Sequence, residues 1–338
     1  MSAAAEGVER TRPVVVVMGA TADEAPPGIE AIAEDVELRY APDRSSLERS
    51  IVDAEIVYTW WGEREDLEAA WPLARKLRWV AASNVGIDAL LFPALVESDV
   101  VLTNARGAAD QPITETVVGF VVALAKGFRP MFDRQRAHVW ETHETDRLAG
   151  SNVVVVGPGP IGRSIGRALR DGLGMRVSAV GRTVRPGDDV FDTISGIEDL
   201  HAALVDADYV VDAMPLTPQT EHAFDAAAFG AMKPTARFIN VGRGKTVVET
   251  ALVDALASAG IAGAALDVFE VEPLPADSPL WDMENVIVCP HMSGDVTGWE
   301  ADFADVFYDN VRRWLMSAPL RNVVDKRLGF PTDDPTLS

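Results

Sequence analysis

Gly157, Gly159 and Gly162 lie in the stretch VVVVGPGPIGRSIGRAL, a G-x-G-x-x-G spacing between a run of valines and a helix-like segment. Each glycine has its own task in such a loop: a tight turn, close approach of backbone to a pyrophosphate, and close packing of helix on sheet. Ile161, Ile165 and Leu169 recur every four residues, so one helix face is apolar and the helix N-terminus points at bound phosphates. Arg182 follows Gly162 by twenty residues, close to where this fingerprint expects an acid for the ribose 2′-hydroxyl. An acid there repels a 2′-phosphate, whereas arginine attracts it and can stack its planar face on adenine. Thr183 offers a hydrogen bond and Arg185 a second positive charge. The expected cofactor is therefore NADPH, with NADH as the weaker alternative.

The elements that must position this loop fill most of the chain. Its 338 residues have room for two domains with sizeable cores. Strands are expected at VVVVMGA, VELRYA, EIVYTW, LRWVAAS and VVLTNA, separated by helix-like GIEAIAED, SLERSIVDA, DLEAAWPLA and DALLFPALVES. Such alternation argues for βαβ units around a parallel sheet. PITETVVGFVVALAKGF opens with a proline suited to a first helical turn and is apolar on nearly every face, which predicts a buried helix. A second alternation begins at NVVVVG and continues through RVSAVG, YVVDAM, RFINVG, AGAALDV and VIVCP. Six strands in this block suit a doubly wound nucleotide-binding sheet. A helix-like VTGWEADFADVFYDNVRRWLM and a short strand-like NVVD follow, and the tail PTDDPTLS reads as disordered.

Composition removes several function classes. Asp plus Glu number 52 against 30 Lys plus Arg, a net charge of −22 that repels phosphate backbones and anionic membranes. Neither nucleic acid nor membrane is expected as a partner. The longest apolar segment, VVGFVVALA, is too short to cross a bilayer. MSAAAEGVERTRP lacks the apolar core of a signal peptide, so a cytoplasmic location is expected. Cys289 is the single cysteine, which excludes an intrachain disulfide and a cysteine-based zinc site. His138 and His143 are five apart in a polar stretch, poor metal geometry, and no metal site is expected.

Three further stretches, FINVGRGKTVVETALVDAL, GAALDVFEVEPLP and VIVCPHMSGD, together with the glycine loop resemble the D-isomer-specific 2-hydroxyacid dehydrogenase family. MPLTPQTEHAF and FGAMKPTARFINVGRG also match it, and the likeness is to its NADP-preferring 2-oxo acid reductases, of the glyoxylate/hydroxypyruvate type. The match is dense from Asn152 to Gly294 and thin in the first hundred residues, where SNVGID and VVLTNARG carry it. The resemblance implies an α/β protein of two doubly wound domains. One is a Rossmann cofactor domain over residues 107–295. The other is a discontinuous flavodoxin-like substrate domain over 1–106 and 296–338. A homodimer joined through the cofactor domain is also implied, with FRPMFDRQRAHVWET, apolar and aromatic residues in a charged arm, in the contact.

The family's catalytic arginine, glutamate and histidine match Arg243, Glu272 and His291. Their chemistry suits a 2-oxo acid. A fixed guanidinium holds the carboxylate and polarises the adjacent carbonyl. Hydride arriving at the carbonyl carbon leaves an alkoxide, which needs a proton from a group titrating near neutrality. A carboxylate beside the histidine favours its imidazolium form. By the same resemblance Pro160 and Ile161 lie at the pyrophosphate, Thr220 near the ribose or phosphates, and Asp267 near the nicotinamide amide. Met214 belongs to the cofactor-binding set, and Val241 and the segment from His291 to Gly294 border the nicotinamide. Backbone amides around Val85 and Gly86 would hold the substrate carboxylate with Arg243, and Trp60 and Trp61 would line the substrate pocket. Cys289 and Met292 depart from the family's common residues, so the substrate preference of no familiar member carries over. The expected activity is NADPH-dependent reduction of a small 2-oxo acid to the D-2-hydroxy acid. The alternatives are a cofactor-sensing, corepressor-like interaction protein and a dehydrogenase of another small anion such as phosphite.

Overall fold

The computed structural model describes residues 12–331. The N-terminal reading rests mainly on residues before these, and all but the first residue of the PTDDPTLS tail lies after them. The chain forms two compact units, one running up to Ala108 and resuming at Gly298, the other spanning Ala109–Thr297.

The first unit holds β1 (Val14–Met18), β2 (Glu37–Ala41), β3 (Ile56–Thr59), β4 (Trp79–Ala82) and β5 (Val101–Thr103). They pair in parallel in the order β2-β1-β3-β4-β5. Every residue of β1, β3 and β4 is buried, as expected for strands covered on both faces and written as unbroken apolar runs. The crossovers carry α1 (Glu30–Ala33), α2 (Arg44–Ser50), α3 (Arg64–Ala70) and α4 (Pro93–Glu97). Asp43 caps α2 by accepting from the Ser46 N–H, and Ser46 answers the Asp43 N–H. The helix expected over DALLFPALVES forms only from Pro93, because proline is suited to a first turn and poorly to an interior one.

The second unit begins with α5 (Asp110–Lys126) and α6 (Phe128–Ala137), then builds a sheet from β6 (Asn152–Val156), β7 (Arg176–Gly181), β8 (Ile194–Gly196), β9 (Tyr209–Asp212), β10 (Arg237–Asn240), β11 (Gly263–Leu266) and β12 (Val286–Val288). Its order is β12-β11-β10-β9-β6-β7-β8, all parallel. Seven strands replace the six expected. The extra one, β8, is only three residues long and ends in glycine, too short to display a period. Between strands lie α7 (Pro160–Arg167), α8 (Leu200–Leu204), α9 (Ala226–Ala231) and α10 (Glu249–Ala257), and α11 (Trp299–Leu315) returns the chain to the first unit.

Strand order reverses beside β6, and such switch points are where doubly wound sheets bind ligands, off the carboxyl ends of the strands. In register, Val156 lies beside Asp212 and Asp212 beside Asn240, so the loops that follow β6, β9 and β10 emerge together. Helix α5 departs from its expected all-round burial. Ile113, Thr114, Val117, Val121 and Ala125 form one buried stripe, Gly119 is exposed, and Pro112 is the third helical residue rather than the first.

Candidate active site

The glycine loop separates structural from ligand-facing glycines. Gly157 has φ +100°, and a Cβ on it would lie 2.7 Å from the Ala213 carbonyl oxygen. A Cβ on Gly162 would lie 2.0 Å from the Gly157 oxygen, so neither position admits a side chain without displacement. Gly159 is different: a Cβ there would meet nothing within 4 Å. This space lies at the start of α7, which has Pro160 in its first turn and no side-chain cap. The N-cap residue Gly159 has no side chain to offer the first-turn N–H groups, and the site fits a dinucleotide pyrophosphate.

The N–H of Gly157 donates to Val180 O at 2.8 Å, tying this loop to the end of β7, where Arg182 and Thr183 follow exposed. Arg185 is half-buried, with its N–H on Ile194 O at 3.0 Å. The acids nearby are engaged by α7: Arg163 binds Asp188 at 2.7 Å and Asp189 at 3.0 Å, and Arg167 binds Asp189 at 2.6 Å. Burial raises the Asp188 carboxyl, but the Arg163 bond and the N–H groups of Phe191 and Val190 outweigh it, holding it down at about 2. Across the loop, Met214 is buried with its N–H on Asp212 Oδ1 at 2.9 Å. Thr220 Oγ1 binds the Thr217 N–H at 2.8 Å and donates to Pro215 O at 2.7 Å, bracing the turn after Met214.

Arg243 follows β10 at the head of a short turn over Gly244–Thr246. A Cβ on Gly244 would lie 1.7 Å from Phe269 O, so this turn is pressed against the loop after β11. The N–H of the same Phe269 donates to Glu272 Oε1 at 2.8 Å, and Glu272 Oε2 lies 2.7 Å from His291 Nδ1. The arginine, the glutamate and the histidine are thus built on loops that touch. Glutamate bonding at Nδ1 leaves Nε2 of the half-exposed His291 ring as the nitrogen for proton exchange. His291 has φ +50°, an uncommon backbone for a non-glycine residue, and its N–H is held on Asp267 O at 2.8 Å.

Asp267 is buried, and both its oxygens serve the segment after His291. Oδ1 accepts from the N–H of Met292 at 2.9 Å and of Ser293 at 3.1 Å, and Oδ2 accepts from Ser293 Oγ. Ser293 O in turn accepts from Thr116 Oγ1 at 3.1 Å, and Gly294 packs where a Cβ would meet Ala109 at 3.5 Å. Ser293 falls within the segment expected to border the nicotinamide, but its partner Thr116 has no signal in the sequence, since a threonine in a helix carries no spacing of its own. Burial, then the Asp267 carboxylate, pushes the Cys289 thiol up to about 12. Val241 is buried with its N–H on Asp212 O at 3.0 Å.

In the first unit, Val85 and Gly86 follow the carboxyl end of β4, and Val85 O accepts from Asn104 Nδ2 at 2.5 Å. Ser83 Oγ is 2.8 Å from both Thr59 O and Trp60 O, which locks the ends of β3 and β4 side by side. Trp60 is 5% exposed and packs beside Tyr58, while Trp61 is 55% exposed, edge-on to Trp299 at 5.6 Å between ring centroids. Among the described residues no cluster of three or more His, Cys, Asp or Glu is arranged to hold a metal, and no helix is long and apolar enough to cross a membrane.

A doubly wound sheet with a glycine-rich turn at its switch point and an Arg–Glu–His group beside it defines a nicotinamide-dependent oxidoreductase. Residues 118–293 match the family described as D-isomer specific 2-hydroxyacid dehydrogenase, NAD binding domain. The chain is 33% identical over 259 residues to glyoxylate/hydroxypyruvate reductase B of Citrobacter koseri, covering 75% of this chain and 79% of that protein. Among solved structures, a D-isomer specific 2-hydroxyacid dehydrogenase family protein from Aeromonas salmonicida superposes with a TM-score of 0.79 at 30% identity, over 94% of this chain and 100% of that one. An NADPH-dependent glyoxylate/hydroxypyruvate reductase from Sinorhizobium meliloti, in complex with NADP and sulfate, gives 0.79 at 26% identity, over 95% and 100%. The chain belongs to the D-isomer specific 2-hydroxyacid dehydrogenase family. It is a D-2-hydroxyacid dehydrogenase whose Rossmann unit binds a nicotinamide dinucleotide.

Proposed function

We propose that the enzyme reduces a small 2-oxo acid to the D-2-hydroxy acid with NADPH. The observation that carries this is the His291 Nδ1–Glu272 bond of 2.7 Å, built on loops that touch the Arg243 turn. Bound at Gly157–Gly162, the nicotinamide dinucleotide supplies the hydride. Arg243 holds the carboxylate of the oxo acid and polarises its carbonyl. His291 gives its Nε2 proton to the developing alkoxide oxygen, and Glu272 stabilises the imidazolium while fixing the ring. In the opposite direction neutral His291 takes the hydroxyl proton. Arg182, with Thr183 and Arg185, selects the 2′-phosphate, in keeping with relatives named as NADPH-dependent reductases. The exposed Trp61 beside Trp299 favours a bulky or aromatic substrate side chain.

The same proposal includes a homodimer through the arm after α5, where Phe132 is 53% exposed and Trp140 fully exposed. Following absorbance at the nicotinamide band, with NADPH and NADH in parallel against a panel of 2-oxo acids, tests the activity. Oxidation favouring NADPH is expected. Oxidation by none of the acids overturns the proposal, and preference for NADH overturns its cofactor half.

A further inference from the structure

Asp212 closes β9 with its side chain wholly buried, and it is none of the residues assigned above to hydride or proton transfer. Its Oδ1 accepts the Met214 N–H at 2.9 Å, and its Oδ2 lies 2.5 Å from Thr246 Oγ1. That same hydroxyl oxygen lies 2.6 Å from the carbonyl oxygen of Arg243. A threonine hydroxyl carries one proton, so it cannot donate to both neighbours. With Asp212 ionised, Oδ2 and the Arg243 carbonyl are both acceptors, and one of the two contacts has no hydrogen in it. With Oδ2 protonated the count closes: Asp212 donates to Thr246, and Thr246 donates to Arg243. Asn240 Nδ2, 3.1 Å from the same carbonyl, completes the hold.

We propose that Asp212 stands as a neutral carboxylic acid and, through the Thr246 hydroxyl, positions Arg243 for the substrate. Its role rests on the proposed binding of the oxo acid by Arg243. Burial pushes the Asp212 carboxyl up to about 7, against the opposing pulls of Thr246 and Met214. The charged and titratable groups on the elements around this corner are Arg243 and Lys245 in the turn, His201 on α8, His222 and Asp225 before α9, Glu249 on α10, Asp267 and Glu270 after β11, and Tyr209 and Arg237 at the far ends of β9 and β10. None of them is a source of the shift. His201 faces Asp225 at 3.9 Å and His222 faces Glu270 at 3.8 Å. As pH rises past neutrality Asp212 ionises, the relay loses its first proton, and the Arg243 turn loosens.

The test is infrared difference spectroscopy of the wild type against Asp212→Asn, with the carboxylic-acid carbonyl band read in water and deuterium oxide. A protonated-acid band present at pH 6, absent in Asp212→Asn, and lost from the wild type between about pH 6 and 9 is expected. The asparagine keeps both contacts, so its KM for the best 2-oxo acid should change less with pH than the wild-type value. Thr246→Val should raise that KM about tenfold while the NADPH Kd holds, and Thr246→Ser should restore it. Absence of the band at pH 6 overturns the proposal, and so does equal KM in Thr246→Val and Thr246→Ser. The threonine pair decides the matter if Asp212→Asn does not fold. Should Arg243→Ala retain turnover, the proposed function falls, yet the band still reports the state of Asp212.

Discussion

Two glycines of one loop should fail in opposite ways when given a methyl group. Gly162→Ala places a Cβ 2.0 Å from the Gly157 oxygen, against an ordinary contact of 3.4 Å or more, so the loop or α7 must move by over 1 Å. Overpacking of this kind costs about 1–3 kcal/mol. At about 2–4 °C per kcal/mol for a unit this size, the melting temperature should fall by about 2–12 °C. Gly159→Ala meets nothing within 4 Å, and its φ of −75° is open to alanine. Its stability should stay within about 0.5 kcal/mol of wild type. The methyl group instead fills the space assigned to the pyrophosphate, and the NADPH Kd should rise about 10–100-fold, or about 1.4–2.8 kcal/mol. Thermal unfolding without ligand, and calorimetric titration with NADPH, separate the two effects. Wild-type affinity in Gly159→Ala would refute the placement of the cofactor, and wild-type stability in Gly162→Ala would refute the close packing of the loop.

Arg182→Asp removes a charge-assisted partner of the 2′-phosphate and adds a repelling one, so the ratio of NADPH to NADH kcat/KM should fall by at least about tenfold; an unchanged ratio in paired steady-state assays sinks the assignment. His291→Ala and Arg243→Ala should abolish turnover with NADPH binding retained, and Glu272→Gln should lower kcat by about 10–100-fold, all read by steady-state kinetics beside cofactor titration. Cys289, with its thiol pushed up to about 12, should resist iodoacetamide at pH 8 in the native enzyme and react on denaturation, as mass spectrometry would record. The Asp212 carboxyl ionises near 3.8 in the unfolded chain and about 7 in the fold, so the unfolded state loses the proton first as pH rises. Its contribution to stability is whole below pH 3.8, is lost between there and about pH 7, and is level above. Asp212→Asn should therefore gain on the wild type in urea midpoint between pH 5 and pH 8.

Local pattern and tertiary structure divided the work unevenly. The run Val153–Val156 ahead of Gly157 made strand, turn and cofactor loop readable together, because burial on both faces and φ above zero each demand a narrow set of residue types. The five strands of the first unit were legible for the same reason, whereas the catalytic stretches were read from a family resemblance. What escaped depended on neighbours distant in the chain. β8 is held as a strand by β7, not by a period of its own. Of the adjacent tryptophans, the stretch YTWWG does not say which is buried; the sheet turns Trp60 inward and leaves Trp61 out. Ser293 meets Thr116 across 177 positions, and Asp212 meets Thr246 across 34. By itself the sequence determined which residues make turns and fill strands, and it named the residues proposed to carry the proton and the phosphate. The tertiary structure alone decided how many hydrogens each buried oxygen receives, because the order of strands in a sheet, and hence which loops meet at its edge, is not written in any local spacing.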